Sequence, residues 1–316
     1  MTNYFLGVDG GQSSTVALIA NESGKVLGIG RAGACNHAAA GEGRDKFVSA
    51  LTDCIAAASQ SAGLDAPPQF ASACLGFSGG TADKEQLVRE ILNAGHLQVT
   101  HDAHIALSGA TAGEPGIIVI AGTGSIGYGR NAAGRTGRAG GWGYLFGDEG
   151  GGFDIVRQAL RAALRLEEGW GGATSLRAVL LDATGARDAN DLLHRFYTPE
   201  FPRPRIAALA KLVDQAAIER DPVARKILAQ AGQVLADLAT AVRAQIFLPD
   251  QNVRVSYLGG VFNSPIVRER FWGSLESERF NRVAPPVYGP AAGALLESYR
   301  AAGISCTLSN VPEEKP

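Results

Sequence analysis

The sequence predicts an α/β protein built from two internally related domains. Strand-length apolar runs alternate with longer runs of helical spacing, the pattern of a sheet covered by helices. A strand–glycine turn–strand opening near the N-terminus recurs just beyond residue 116, and internal duplication is its simplest cause. The 316 residues, 46% hydrophobic and 19% charged, are enough to bury two separate cores.

In the first half, Tyr4 to Val8 is a short apolar run ended by Asp9-Gly-Gly11. Thr15 to Ala20 is a second run, ended by Asn21-Glu-Ser-Gly24, and Val26 to Gly30 is a third. Three strands joined by tight turns read as an antiparallel meander. Glu42 to Ala62 carries Phe47, Leu51, Ile55 and Ala58 at helical spacing, with Gly63 as the stop. Ala71 to Phe77 and Leu97 to Thr100 read as further strands, with a helix over Lys84 to Asn93 between them and another from Ala103.

Gly113-Glu-Pro-Gly116 marks the boundary, giving expected domains 1–115 and 116–316. Ile117 to Ala121 and Ile126 to Arg130 then repeat the opening hairpin. Helices are expected over Phe153–Glu167, Ser175–Thr184, Asp188–Phe196, Ile206–Glu219 and Pro222–Gln245, with Pro199 to Pro204 as an irregular connection. A strand over Val253–Leu258 runs into Gly259-Gly260, and a last helix spans Pro290–Ala302. The tail after Thr307 reads as loose, and the chain past about 303 is expected to pack back on the N-terminal domain.

The net charge of −2 leaves no basic excess for a phosphate backbone or an anionic membrane surface, so neither nucleic acid nor membrane is an expected partner. No secretory leader pattern opens the chain and no apolar run approaches roughly 18 residues, so the expected location is the cytoplasm. Cys35, Cys54, Cys74 and Cys306 are scattered without Cys-x-x-Cys spacing, against a disulfide scaffold or a zinc site.

The 41 glycines are concentrated at Gly7–Gly11, Gly76–Gly80, Gly122–Gly129, Gly140–Gly152 and Gly259–Gly260, which suggests loops converging on one cleft. Gly122-Thr-Gly-Ser-Ile-Gly127 formally matches a dinucleotide fingerprint, yet a strand and turn follow it where that motif opens a helix. No Walker-type phosphate loop is present. Successive N–H groups in a tight glycine hairpin can still hold phosphate, and two hairpins offer them: Asp9 to Thr15, including Gly10, Gly11 and Ser13, and Gly122, Thr123, Gly124 and Ser125.

Asp9, at a strand end beside those donors, suits hydrated Mg²⁺ on a nucleotide or merely caps a turn. Asp102 ends another strand, where a carboxylate suits a general base in phosphoryl transfer or an N-cap for the following helix. Gly140-Gly-Trp-Gly143 and Phe146-Gly-Asp-Glu-Gly150 set an aromatic and two carboxylates in glycine-rich backbone, as a sugar pocket or a structural loop. Asn36-His37 either binds a ligand or turns the chain.

Taken together, Leu6-Gly-Val-Asp-Gly-Gly11, Asn36-His37, Leu75-Gly-Phe-Ser-Gly-Gly80, Asp102-Ala103, Ala121-Gly-Thr-Gly-Ser125, Gly140 to Gly143, Gly147 to Gly150 and Leu258 to Val261 resemble the N-acetylglucosamine kinase and BadF-type ATPase family. That family is a branch of the superfamily shared by hexokinase, actin and the heat-shock chaperone ATPase. The resemblance implies a duplicated ribonuclease H-like (actin-like ATPase) fold, two domains around a central cleft, with ATP and Mg²⁺ as cosubstrates and an amino sugar, foremost N-acetylglucosamine, as acceptor at its 6-hydroxyl.

By motif position, the resemblance gives Asp9, Ser13 and Thr123 to ATP and its metal, with Gly10, Gly11, Thr15, Gly122 and Gly124 in the same hairpins. It makes Asp102 the base, places Asn36, Ser78, Ser125, Gly141, Trp142, Gly143 and Asp148 with the sugar, and sets Gly259 and Gly260 near the adenosine. Ile126 stands where the eukaryotic sugar kinase has a sugar-site asparagine, so glucosamine and N-acetylmuramic acid stay open as substrates. The family's activator branch holds an iron–sulfur cluster on cysteines near the second hairpin, and this chain has no cysteine from Leu75 to Ser305, which favours the kinase. A homodimer is an open expectation.

Overall fold

A computed structural model describes residues 3–35, 42–79 and 83–314. They divide into two compact units: one runs up to Gly116 and resumes at Pro285, the other is Ile117–Ala284.

The first unit opens with β1 (Tyr4–Gly10), β2 (Thr15–Asn21) and β3 (Val26–Ala32), followed by α1 (Glu42–Ser61), β4 (Phe70–Phe77), α2 (Lys84–Ile91), β5 (Ala94–His101) and α3 (Asp102–Ala110). Its sheet has the order β3-β2-β1-β4-β5. The meander pairs antiparallel, whereas β1, β4 and β5 run parallel. β1, β2 and β4 are apolar almost throughout because the sheet is covered on both faces. Phe47, Leu51, Cys54, Ile55 and Ala58 of α1 fill one face.

The second unit holds β6 (Gly116–Ala121), β7 (Ser125–Arg130), β8 (Thr136–Gly140), α4 (Gly152–Glu167), α5 (Leu176–Thr184), α6 (Ala189–Arg195), α7 (Arg203–Ala208), α8 (Ala210–Ile218), α9 (Pro222–Ile246), β9 (Val253–Leu258), α10 (Pro265–Glu276) and β10 (Asn281–Val283). Read from its meander end, the sheet order β8-β7-β6-β9-β10 repeats that of the first unit. One topology twice over is the duplicated ribonuclease H-like fold.

The last helix, α11 (Pro290–Ala301), belongs to the first unit although the chain reaches it after the second. Its Ala291, Ala292, Leu295 and Tyr299 cover the other face of the first sheet, with Phe5, Val16 and Leu18. Gly7 makes the fit possible: a Cβ there would collide with the backbone of Ala291 and Leu295. The tail is fastened rather than loose. Leu308 joins the same core, Ser309 bonds to the backbone of Gly24 and Val26, and Glu314 accepts from the amides of Ala291 and Ala292, each at 2.8 Å.

The structure departs from the sequence pattern in several places. The expected helix over Ile206–Glu219 is two, α7 and α8, meeting at Leu209. β5 begins three residues early, and the helix before it stops at Ile91. β8, β10 and α10 carry no expectation: β8 is Thr-Gly-Arg-Ala-Gly without alternation, and β10 is three residues long. The start of α10 was legible, since Ser264 caps Val267 N–H and Pro265 occupies the first turn.

Candidate functional site

In the first unit, register sets the functional residues on one sheet edge. Gly10 of β1 lies opposite Phe77 of β4, which lies opposite His101 of β5. The residues just past these carboxyl ends are Gly11, Ser78 and Asp102, and that edge is where open α/β sheets bind ligands.

Asp9 is half-buried and accepts no hydrogen bond among the described residues, which removes the turn-capping alternative there. Burial first, then the charges of Glu314 and Asp102, push its carboxyl up to about 7. The hairpin closes by a Gly11 N–H to Ser14 carbonyl bond of 2.9 Å, leaving Ser13 exposed at its tip. Thr15 is buried and its hydroxyl donates to the Gly33 carbonyl at 2.7 Å, so it shapes the hairpin. Ser78 N–H reaches Gly10 carbonyl at 3.3 Å, while the Ser78 hydroxyl is buried without a partner among the described residues.

Asp102 is the first residue of α3, and the cap is His101, whose Nδ1 accepts from His104 N–H at 3.2 Å. The capping alternative for Asp102 therefore falls to its neighbour. Asp102 Oδ1 accepts from Ala103 N–H at 2.8 Å. Burial raises the proton affinity of this carboxyl, opposed by that N–H and by the Lys84 cation. α3 is locked onto α11 by buried Glu297, which accepts from Ser108, lies 3.4 Å from His104 Nε2, and pairs with Arg300 at 3.2 Å.

In the second unit, the hairpin of Gly122, Thr123 and Gly124 lies against the start of α4. Gly152 N–H donates to Gly122 carbonyl at 2.8 Å and Phe153 N–H to Thr123 carbonyl at 3.1 Å. Ser125 Oγ donates to Glu149 carbonyl at 2.6 Å, and Gly141 N–H to Ser125 carbonyl at 3.0 Å. These bonds gather Thr123, Ser125, Gly141, Trp142, Gly143 and Asp148 into one loop cluster.

Asp148 is buried at φ +61°, a left-handed conformation that a non-glycine residue adopts at a cost and that favours a functional reading. Its carboxyl lies directly over Gly124, where any Cβ would collide with it. Trp142 is 70% exposed, and Arg138 stacks 4.8 Å from its ring while binding the Gly140 and Gly141 carbonyls at 3.1 and 2.7 Å. Gly259 and Gly260 follow β9 at the same edge as Ala121 and Gly122, because Leu258 pairs with Ile120.

Asn36 and His37 lie outside the described residues. Three groups escaped sequence reading: Lys84, fully buried beside the β4 edge; Glu314, brought to Asp9 from the far end of the chain; and Arg138, the clamp under Trp142. Each looks in sequence like an ordinary surface charge.

Residues 6–298 match the model of the BadF/BadG/BcrA/BcrD ATPase family. The chain is 35% identical to an N-acetylmuramic acid/N-acetylglucosamine kinase of Clostridium acetobutylicum, over 83% of this chain and 86% of that one. It is 31% identical to an N-acetyl-D-glucosamine kinase of Dictyostelium discoideum, over 81% and 84% respectively. A solved structure from Chromobacterium violaceum, described as a candidate N-acetylglucosamine kinase, superposes with a TM-score of 0.77 at 30% identity, covering 93% of this chain and 98% of that one.

Proposed function

Because the chain belongs to the BadF/BadG/BcrA/BcrD ATPase family, we propose that it is an ATP-dependent amino-sugar kinase that converts N-acetylglucosamine to its 6-phosphate. The observation that carries this reading is the placement of Asp102: a half-buried carboxylate at the carboxyl edge of parallel strands, just past the cap residue His101. Two relatives of 31% identity or more are named for that sugar.

Asp102 in its ionised form accepts the proton of the sugar hydroxyl, whose oxygen then forms the new bond to the γ-phosphorus as the bond to ADP breaks. Ser125, Gly141, Trp142, Gly143 and Asp148 hold the sugar, joined by Asn36 and Ser78. The backbone N–H groups of the two hairpins, with Ser13 and Thr123, hold the phosphates, and Gly259 and Gly260 lie by the adenosine. The carboxyl of Asp9 fits a cation, because neighbouring Glu314 and Asp102 leave it in an excess of negative charge. Asp9 would hold hydrated Mg²⁺, which offsets charge on the phosphates when bound. The cytoplasm, where ATP and Mg²⁺ are abundant, is the compartment that suits this chemistry.

The test is ADP release over N-acetylglucosamine, glucosamine, N-acetylmannosamine, N-acetylmuramic acid and glucose. N-acetylglucosamine is expected to give the highest kcat/KM. Background rates with every sugar, in a protein that binds ATP, would overturn the kinase reading, and a preference for N-acetylmuramic acid or glucosamine would move the substrate.

A further inference from the structure

Lys84 is a cation that the phosphate and sugar motifs leave unexplained. It is 1% exposed and opens α2, where the helix dipole disfavours positive charge. Burying an ammonium is costly, and an apolar side chain of similar volume would fill the place more cheaply. Its Nζ donates to the main-chain carbonyl of Ser78 at 2.6 Å and lies 5.8 Å from the centroid of the Phe77 ring.

Those contacts put the charge at the carboxyl edge described above. Phe77 pairs with His101, the residue before Asp102, and Ser78 in turn bonds to Gly10 beside Asp9. Burial disfavours the Lys84 ammonium, and the charges of Asp83, Cys35 and then Asp102 favour it; burial likewise disfavours the Asp102 carboxylate, which the Ala103 N–H and then Lys84 favour.

We propose that Lys84 is a positioning residue for Asp102, holding the end of β4 through Ser78 and setting a buried positive charge at the strand edge that Asp102 shares. This rests on the reading of Asp102 as proton acceptor. Of the other titratable groups at this edge, Asp83 and Cys35 favour the Lys84 ammonium and Asp9 on β1 is opposed by the Asp102 charge, while His101 caps α3 and His104 pairs with Glu297 of α11. Lys84 is the cation that reaches Asp102 from α2.

The experiment compares the parent with Lys84→Met and Lys84→Gln; Gln can keep a donor for the Ser78 carbonyl without the charge. Aspartate labelled at the carboxyl carbon is titrated by NMR in the ligand-free protein, with the Asp102 signal assigned by its loss in Asp102→Asn. Both variants are expected to move that titration to higher pH. An unchanged Asp102 titration in a folded variant overturns the proposal, and should Met fail to fold, Gln decides it.

This readout needs no turnover, so it stays decisive if no sugar is phosphorylated. With an active sugar, the ratio of kcat/KM at pH 6 to that at pH 8, under saturating MgATP, is expected to fall at least about threefold in both variants. A loss equal at all pH values, with restoration by Gln, would make Lys84 a scaffold bond only and overturn the electrostatic role.

Discussion

Replacing Asp9 with Asn should stabilise the ligand-free protein, and more at pH 8 than at pH 5. The carboxyl titrates at about 7 in the fold against the usual 3.8, chiefly because burial disfavours its charge. The native state therefore binds more protons than the unfolded chain between these values, and stability falls as pH rises through that window. At 1.36 kcal/mol per unit, the full penalty is about 4 kcal/mol, complete by about pH 8, with somewhat over half of it accumulating between pH 5 and pH 8. Asn keeps the shape and removes the titration.

Urea unfolding of parent and variant at pH 5 and pH 8, in chelator, reads the difference directly and cancels the pH dependence of groups that do not interact with Asp9. A gain about 2.5 kcal/mol larger at pH 8 is expected. Equal gains at both pH values, or a destabilised variant at pH 8, would refute the account of Asp9 as a buried, electrostatically crowded carboxyl. Adding MgATP should reverse the order, because a ligand held by the parent stabilises it by mass action while the variant has lost the carboxylate.

Three further outcomes follow from the geometry. Asp102→Asn should lower kcat by about 10²- to 10⁴-fold with ATP affinity by calorimetry nearly unchanged, and full turnover would reject the assigned base. Gly7→Ala should cost at least about 3 kcal/mol in urea unfolding, because the new methyl meets α11 backbone rather than a movable side chain; an unaltered midpoint would contradict the packing of α11 on β1. Asp221→Ala should cost about 2 kcal/mol, since this carboxylate accepts from Ser175 N–H at 2.6 Å and from Val223 and Ala224 N–H at 2.9 Å. Burial opposes its charge, but the bonds from Ala224, Ser175 and Thr174 outweigh it and lower its pKa, so the contribution is present above the usual 3.8 and fades as pH falls below it. The gap between variant and parent should then narrow in acid, and a gap that stays constant would exclude the charge as its source.

Local chemistry wrote much of this protein into its sequence. The strand runs, the glycine hairpins and the repeat beginning near residue 117 depend on neighbours a few positions apart, so period and turn residues reveal them. The same signals place Asp9 and Asp102 at strand ends, because a strand end is a local event. What they could not reveal depends on residues far apart in the chain. The sequence pattern offers Asp102 as the cap of the following helix, and the fold of α3 gives that place to His101. α11 and Glu314 follow the whole second unit yet complete the first sheet and crowd Asp9, a pairing that no local period records. Lys84 reads as a surface charge until the end of β4, with Phe77 and Ser78, meets it, since burial belongs to the assembled fold and not to the residue. The sequence by itself determined which elements form and which residues end them; tertiary structure decided which of those ends share an edge, and therefore which charges act on one another.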